Sequence, residues 1–150
     1  MSMFSSINAS ASALTAQRLR MDVVSSNMAN AQTTRAKLGA DGKFEPYRRK
    51  LVSLQAEGNS GFGTYLNRAA TKNAASGVKA TKISEDQTPF KLVYNPTHPD
   101  ANANGYVEMP NVDPLKEMVD LMSATRSYEA NVTALNASKG MLMKALEIGK

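Results

Sequence analysis

The chain has 150 residues, of which 42% are hydrophobic and 6% aromatic, with 18 Lys and Arg against 13 Asp and Glu for a net charge of +5. That length excludes a large multidomain enzyme, and the charge is too dilute for a dedicated nucleic-acid binder. The absence of Cys excludes disulfides, thiolate metal sites and a Cys nucleophile.

The opening residues carry no charge before Arg18, so they lack the basic start and compact apolar stretch of a secretory signal peptide. No stretch approaches the roughly 20 apolar residues that cross a bilayer. A soluble chain is expected, or one exported by a route that reads no such signal.

Gly and Pro break regular structure for different reasons, one by backbone entropy and the other by its missing N–H. Neither occurs before Gly39, every proline lies between Pro46 and Pro114, and the remainder holds only Gly140 and Gly149. Three parts are expected: a helical segment over 1–34, a strand-rich middle over 35–113 and a second helical segment over 114–150. In the first, Phe4, Ile7, Ala11, Leu14, Arg18, Met21, Ser25 and Met28 alternate by three and four, which lines up one helical stripe. The stripe is thin, and the Ser, Ala and Asn around it offer little surface to bury alone.

The middle contains β-compatible runs at Tyr47–Leu54, Gly77–Ser84, Phe90–Tyr94 and Gly105–Met109, so a small irregular β-domain is expected. Asn59–Gly63 and Asn95–Gly105 read as loops. The Ala-, Asn- and Lys-rich stretch Arg68–Ser76 reads as a loop or a short helix. The closing segment begins with Asp113 as N-cap, Pro114 at the first helical position and Glu117 near the positive end of the helix dipole. Met118, Leu121, Thr125, Tyr128, Val132, Leu135, Lys139, Leu142 and Leu146 continue the same alternation. A helix on the order of 50 Å long follows at 1.5 Å per residue. Val119, Met122, Met141, Met143 and Ile148 fall off the stripe, which suggests contacts on more than one face. The two stripes either pair with each other or are left for neighbours.

Candidate chemistry is sparse. Asp100-Ala-Asn102-Ala-Asn104-Gly105 matches the first half of an EF-hand loop, but the position that needs a bidentate Glu is Asn111, and Pro99 and Pro110 forbid the flanking helices. A polar turn is the better reading. His98 has no nucleophile motif to serve and too few neighbouring ligands for zinc. Arg48-Arg49-Lys50 reads as a solvated strand edge or, with the lysines at 72, 79 and 82, as a weak phosphate-binding patch. No catalytic, cofactor-binding or metal residue is identified.

Several strings carry a resemblance. Ser25-Ser-Asn27-Met-Ala29-Asn30-Ala-Gln-Thr33-Thr34 resembles the Asn-x-Ala-Asn-x-x-Thr signature of the flagellar axial proteins. Pro89–Pro96, Tyr106–Asp113, Met118–Met122 and Arg126–Asn136 resemble one particular basal-body rod protein of that family. Arg35 stands where many relatives have Gly or Pro, which leaves the local turn open. The resemblance implies an α+β fold in which long terminal helices pack as a coiled-coil-like tube, with the middle domain outside. It also implies a proximal-rod subunit exported through the flagellar type III apparatus, located outside the cytoplasm and partnered by copies of itself and other rod proteins. No enzyme activity, nucleic acid or membrane insertion is implied. On this reading Phe4, Ile7, Leu14, Met21, Met28, Met118, Leu121, Tyr128, Val132, Leu135, Leu142 and Leu146 form the subunit interface. Asn27, Ala29, Asn30 and Thr33 carry the family motif, where the polar groups either cap the first helix or shape a turn.

Overall fold

The computed structural model describes residues 3–39, 42–56 and 77–148. The expected Asn59–Gly63 loop and the Arg68–Ser76 stretch, with Lys72, lie outside the described residues. Helix α1 spans Met3–Ala29 and helix α2 spans Pro114–Ile148. Among the described residues six short strands fall between them: β1 Lys37–Leu38, β2 Phe44–Glu45, β3 Lys50–Ala56, β4 Val78–Glu85, β5 Lys91–Tyr94 and β6 Tyr106–Met109. The fold is α+β. Among the described residues these strands form three two-stranded sheets, β1 with β2, β3 with β4 and β5 with β6. The four longer strands lie within a few residues of the expected runs.

Local chemistry explains the boundaries. At the start of α2 the Asp113 carboxylate accepts from the Leu115 N–H at 3.2 Å, and its carbonyl accepts the first intrahelical bond from Glu117 at 3.0 Å. This satisfies one of the donors that a helix start leaves unpaired. Helix α1 ends without a glycine. Instead the Asn30 side chain donates to the Ser26 carbonyl at 2.9 Å, and Thr33 Oγ1 donates to Asn30 Oδ1 at 3.3 Å. Asn30 and Thr33 thus tie off the last turn.

Between β5 and β6 the chain turns back at Gly105, whose φ of 78° lies in the left-handed region. A Cβ there would meet Tyr94 at 2.9 Å, so conformation and space both demand glycine. The two strands are antiparallel, with Val93 opposite Val107 and Tyr94 opposite Tyr106. The two tyrosine rings meet edge to face at 5.3 Å, a cross-strand contact that fixes the register.

The chain forms two compact units. The first comprises Met1–Arg20, Ser53–Lys82 and Ser123–Lys150; the second comprises Met21–Val52 and Ile83–Met122. Among the described residues of the first, Ala16 and Ala124 are the buried ones. Ser12 joins its parts by accepting from the Val78 N–H at 2.9 Å while donating to the Ala9 carbonyl. The second unit buries Val23, Val24, Tyr47, Val107 and Val112, together with Pro46, Pro110 and two polar side chains, Asn27 and Glu117.

Candidate assembly surface and a buried polar cluster

In the first unit the expected interface residues divide by exposure. Ile7, Leu14, Tyr128, Val132, Leu135 and Leu142 are half-buried, whereas Phe4 is 67% and Leu146 75% exposed. Off the stripe, Met141, Met143 and Ile148 are exposed as well. Apolar side chains thus stay open on more than one side of the last two turns of α2. In the second unit Met21, Met28 and Leu121 are half-buried, and Met118 is exposed beside Leu115, Val119 and Met122.

The second unit also holds a cluster that the sequence does not announce. Asn27, on α1, is 1% exposed and Glu117, on α2, is fully buried. Asn27 Nδ2 donates to the Lys50 carbonyl at 2.9 Å and to Glu117 Oε2 at 3.0 Å, while its Oδ1 accepts from the Lys50 N–H at 2.9 Å and from the Tyr47 hydroxyl at 3.0 Å. Both donors and both acceptors of the carboxamide are used. Asn111 holds the preceding residue: its Oδ1 accepts from the Arg49 N–H at 2.8 Å, and its Nδ2 faces the Asp86 carbonyl and the Thr88 hydroxyl. The Arg49 carbonyl in turn accepts from the Asp86 N–H. Two asparagines therefore hold the backbone where β3 begins.

Arg49 itself corrects a sequence expectation. It is not part of a solvated strand edge, because Lys50 is the first residue of β3 and Arg49 turns its guanidinium onto carboxylates. Nε meets Glu117 Oε1 at 2.5 Å, Nη2 meets Asp120 at 3.3 Å and Nη1 lies 3.9 Å from Asp86. A buried Glu117 requires such a partner, since an unpaired ion in a low-dielectric site is strongly unfavourable. The rest of the basic run is dispersed: Arg48 stacks on the Phe90 ring at 4.3 Å and the Lys50 ammonium lies 5.8 Å from the Tyr47 ring. The Thr88 N–H holds the Asp86 carboxyl below the usual carboxylate range, helped by the Thr88 side chain, Arg49 and Lys116.

Asp100, the first position of the calcium-like string, is engaged by protein groups. Arg35 Nε donates to its Oδ1 at 2.7 Å and Thr34 Oγ1 donates to its Oδ2 at 2.9 Å. Arg35, and then Thr34, hold its carboxyl below the ordinary range. The His98 Nδ1 accepts from the Asp100 N–H at 3.1 Å, and the chain turns over 102–105 with the Gly105 N–H on the Asn102 carbonyl. This is a polar turn closed by an ion pair. Among the described residues no three potential His, Asp or Glu ligands gather into a metal site. Arg35 also lies 5.5 Å from the Phe44 ring.

Long terminal helices with open apolar faces, bracketing a small strand-rich middle, describe a protein built to pack against others. Known families agree: residues 7–37 match the model described as flagella basal body rod protein, and residues 103–148 match the flagellar basal body rod FlgEFG protein C-terminal model. The chain is 68% identical to the flagellar basal-body rod protein FlgC of Bacillus subtilis, over the whole of both chains. It is 47% identical to FlgC of Salmonella typhimurium over 93% of this chain and 92% of the relative, and 43% identical to FlgC of Borreliella burgdorferi over 99% and 98%. The chain belongs to the FlgC family of flagellar basal-body rod proteins, and is a structural subunit of that rod.

Proposed function

We propose that the chain is a proximal-rod subunit that transmits torque by packing and performs no chemistry. It reaches the extracytoplasmic rod through the flagellar type III apparatus and binds copies of itself and other rod proteins, with no nucleic acid and no membrane insertion. On this reading 1–34 and 114–150 form the axial core, and 35–113 forms an outer domain. The observation that carries it is the set of exposed apolar side chains on the last two turns of α2, Met141 and Ile148 on one side of the helix and Met143 and Leu146 on the other. Phe4 on α1 offers a further apolar group. Burying such side chains contributes roughly 1.5 to 3 kcal/mol each, repeated at every subunit added. A nucleic-acid role is disfavoured, because Arg49, the centre of the basic run, is committed to Glu117, Asp120 and Asp86.

The test is Leu146→Asp. The side chain is 75% exposed in the subunit, so the variant should be soluble and melt as the unaltered chain does. In a rod the carboxylate would be buried without a partner, at several kcal/mol per subunit. Cells carrying it as their sole copy should lack rods by electron microscopy and be non-motile. Normal rods would overturn the assignment of this face to assembly. Leu135, half-buried in the subunit itself, is a less discriminating site for the same charge.

A further inference from the structure

We infer that Asn27 is a positioning residue that acts inside the subunit: its carboxamide takes the place of a neighbouring strand for Lys50 and orients the buried Glu117 towards Arg49. The inference does not depend on the rod assignment. In an antiparallel ladder a residue exchanges its N–H and C=O with one partner. Lys50 makes that two-point exchange with a side chain on α1, 23 residues earlier. The position requires an amide. A carboxylate would supply the acceptor for the Lys50 N–H and Tyr47 O–H, but its second oxygen would face the Lys50 carbonyl and Glu117 Oε2, both acceptors. A flipped amide fails equally, since its NH₂ would face the Lys50 N–H. The surroundings thus choose Asn over its isostere Asp and set the amide's orientation. The donor on Glu117 Oε2 leaves Oε1 for Arg49.

The groups around Glu117 define the electrostatic test. Arg49 faces it from the segment before β3, and Asn27 from α1, with the Tyr47 hydroxyl on the same amide. Asp120 on its own helix and Asp86 beyond β4 share Arg49, Lys116 acts on Asp86, and the Lys50 ammonium lies near the Tyr47 ring. Asn27→Asp therefore adds a carboxylate beside one already buried, and the pair ionises fully only at a cost that sharing a proton removes.

The experiment is thermal melting of the full chain at pH 7.5 and pH 5. Asn27→Asp should lower the melting temperature at pH 7.5 by about 10 °C or more, and at least about half of that gap should close at pH 5 as the pair takes up a proton. Asn27→Leu should lose stability without the recovery. Because Glu117→Gln removes the opposing charge, the double variant Asn27→Asp/Glu117→Gln should lose less than the sum of the two single losses. In the unaltered chain the two Asn27 carboxamide protons, both hydrogen-bonded in a closed site, should exchange with solvent at least about 100-fold more slowly than those of an exposed asparagine. A pH-independent gap, additive losses or rapid carboxamide exchange would each overturn the inference. The exchange measurement decides it even if Asn27→Asp does not fold.

Discussion

The two compact units solve the problem of a thin core in opposite ways. In the second, a few apolar side chains are supplemented by polar groups brought inside and fully paired, with Asn27 making four hydrogen bonds and Glu117 bound to both Asn27 and Arg49. In the first, the buried residues among those described are two alanines. The Gln17 Oε1 there is a buried side-chain acceptor with no partner. Its long apolar side chains among the described residues are half-buried or exposed. Hydrogen bonds contribute most to uniqueness when every member is satisfied, and apolar area contributes to stability only where something covers it. The second unit thus closes a polar core within one chain although Leu115, Met118, Val119 and Met122 stay exposed on it, whereas the described part of the first buries little and carries open apolar side chains at the end of α2.

That contrast can be broken most severely at Arg49. Arg49→Met removes the partner of a fully buried Glu117 and should destabilise the second unit by about 3 to 5 kcal/mol, measured by urea unfolding of the full chain. A loss below about 1 kcal/mol would mean that Glu117 finds water or another cation, and that the unit is less closed than its geometry indicates. Gln17→Met reverses the sign in the first unit. Replacing a half-buried amide whose Oε1 is buried without a partner with an apolar side chain of similar length should stabilise by about 1 kcal/mol in the same assay.

The smallest effect sharpens the comparison through pH. Asp86 and Asp100 both titrate below the ordinary carboxylate range. Their contributions are therefore fully present above the unfolded value, near pH 4, and are lost as pH falls through the lower folded value. Both belong to the second unit, so acid should weaken that unit. Asp100→Asn, which removes the carboxylate held by Arg35 and Thr34, should lower stability at pH 7 by a small amount and make it fall less steeply below pH 4, so that the difference from the unaltered chain shrinks in acid. An unchanged acid slope would show that the exposed Arg35 pair is screened by solvent.

The elements themselves were legible in the sequence because their signals are local. The three-four alternation marked both helices, Asp113 and Pro114 marked where α2 begins, and glycines and prolines bracketed the strands of the middle. The family motif was legible as a string, although its reading left capping and turn formation open. The structure divides it: Asn30 and Thr33 finish the helix, and Asn27 leaves the helix end to hold a strand. Arg49 was misread for the same reason. As one of three consecutive cations it looked like solvated charge, since its partner Glu117 lies 68 residues away. Asn27 and Glu117 are 90 residues apart, and no periodicity or composition connects them.

What the sequence determined by itself was therefore the order and kind of the elements, which follow from backbone preference and the spacing of apolar side chains along a short stretch of chain. Which polar residues are buried, and with which partners, was decided by the tertiary structure. A polar group can be taken from water only when complementary groups converge on it, and here that convergence requires α1, the start of β3 and α2 to meet in one place.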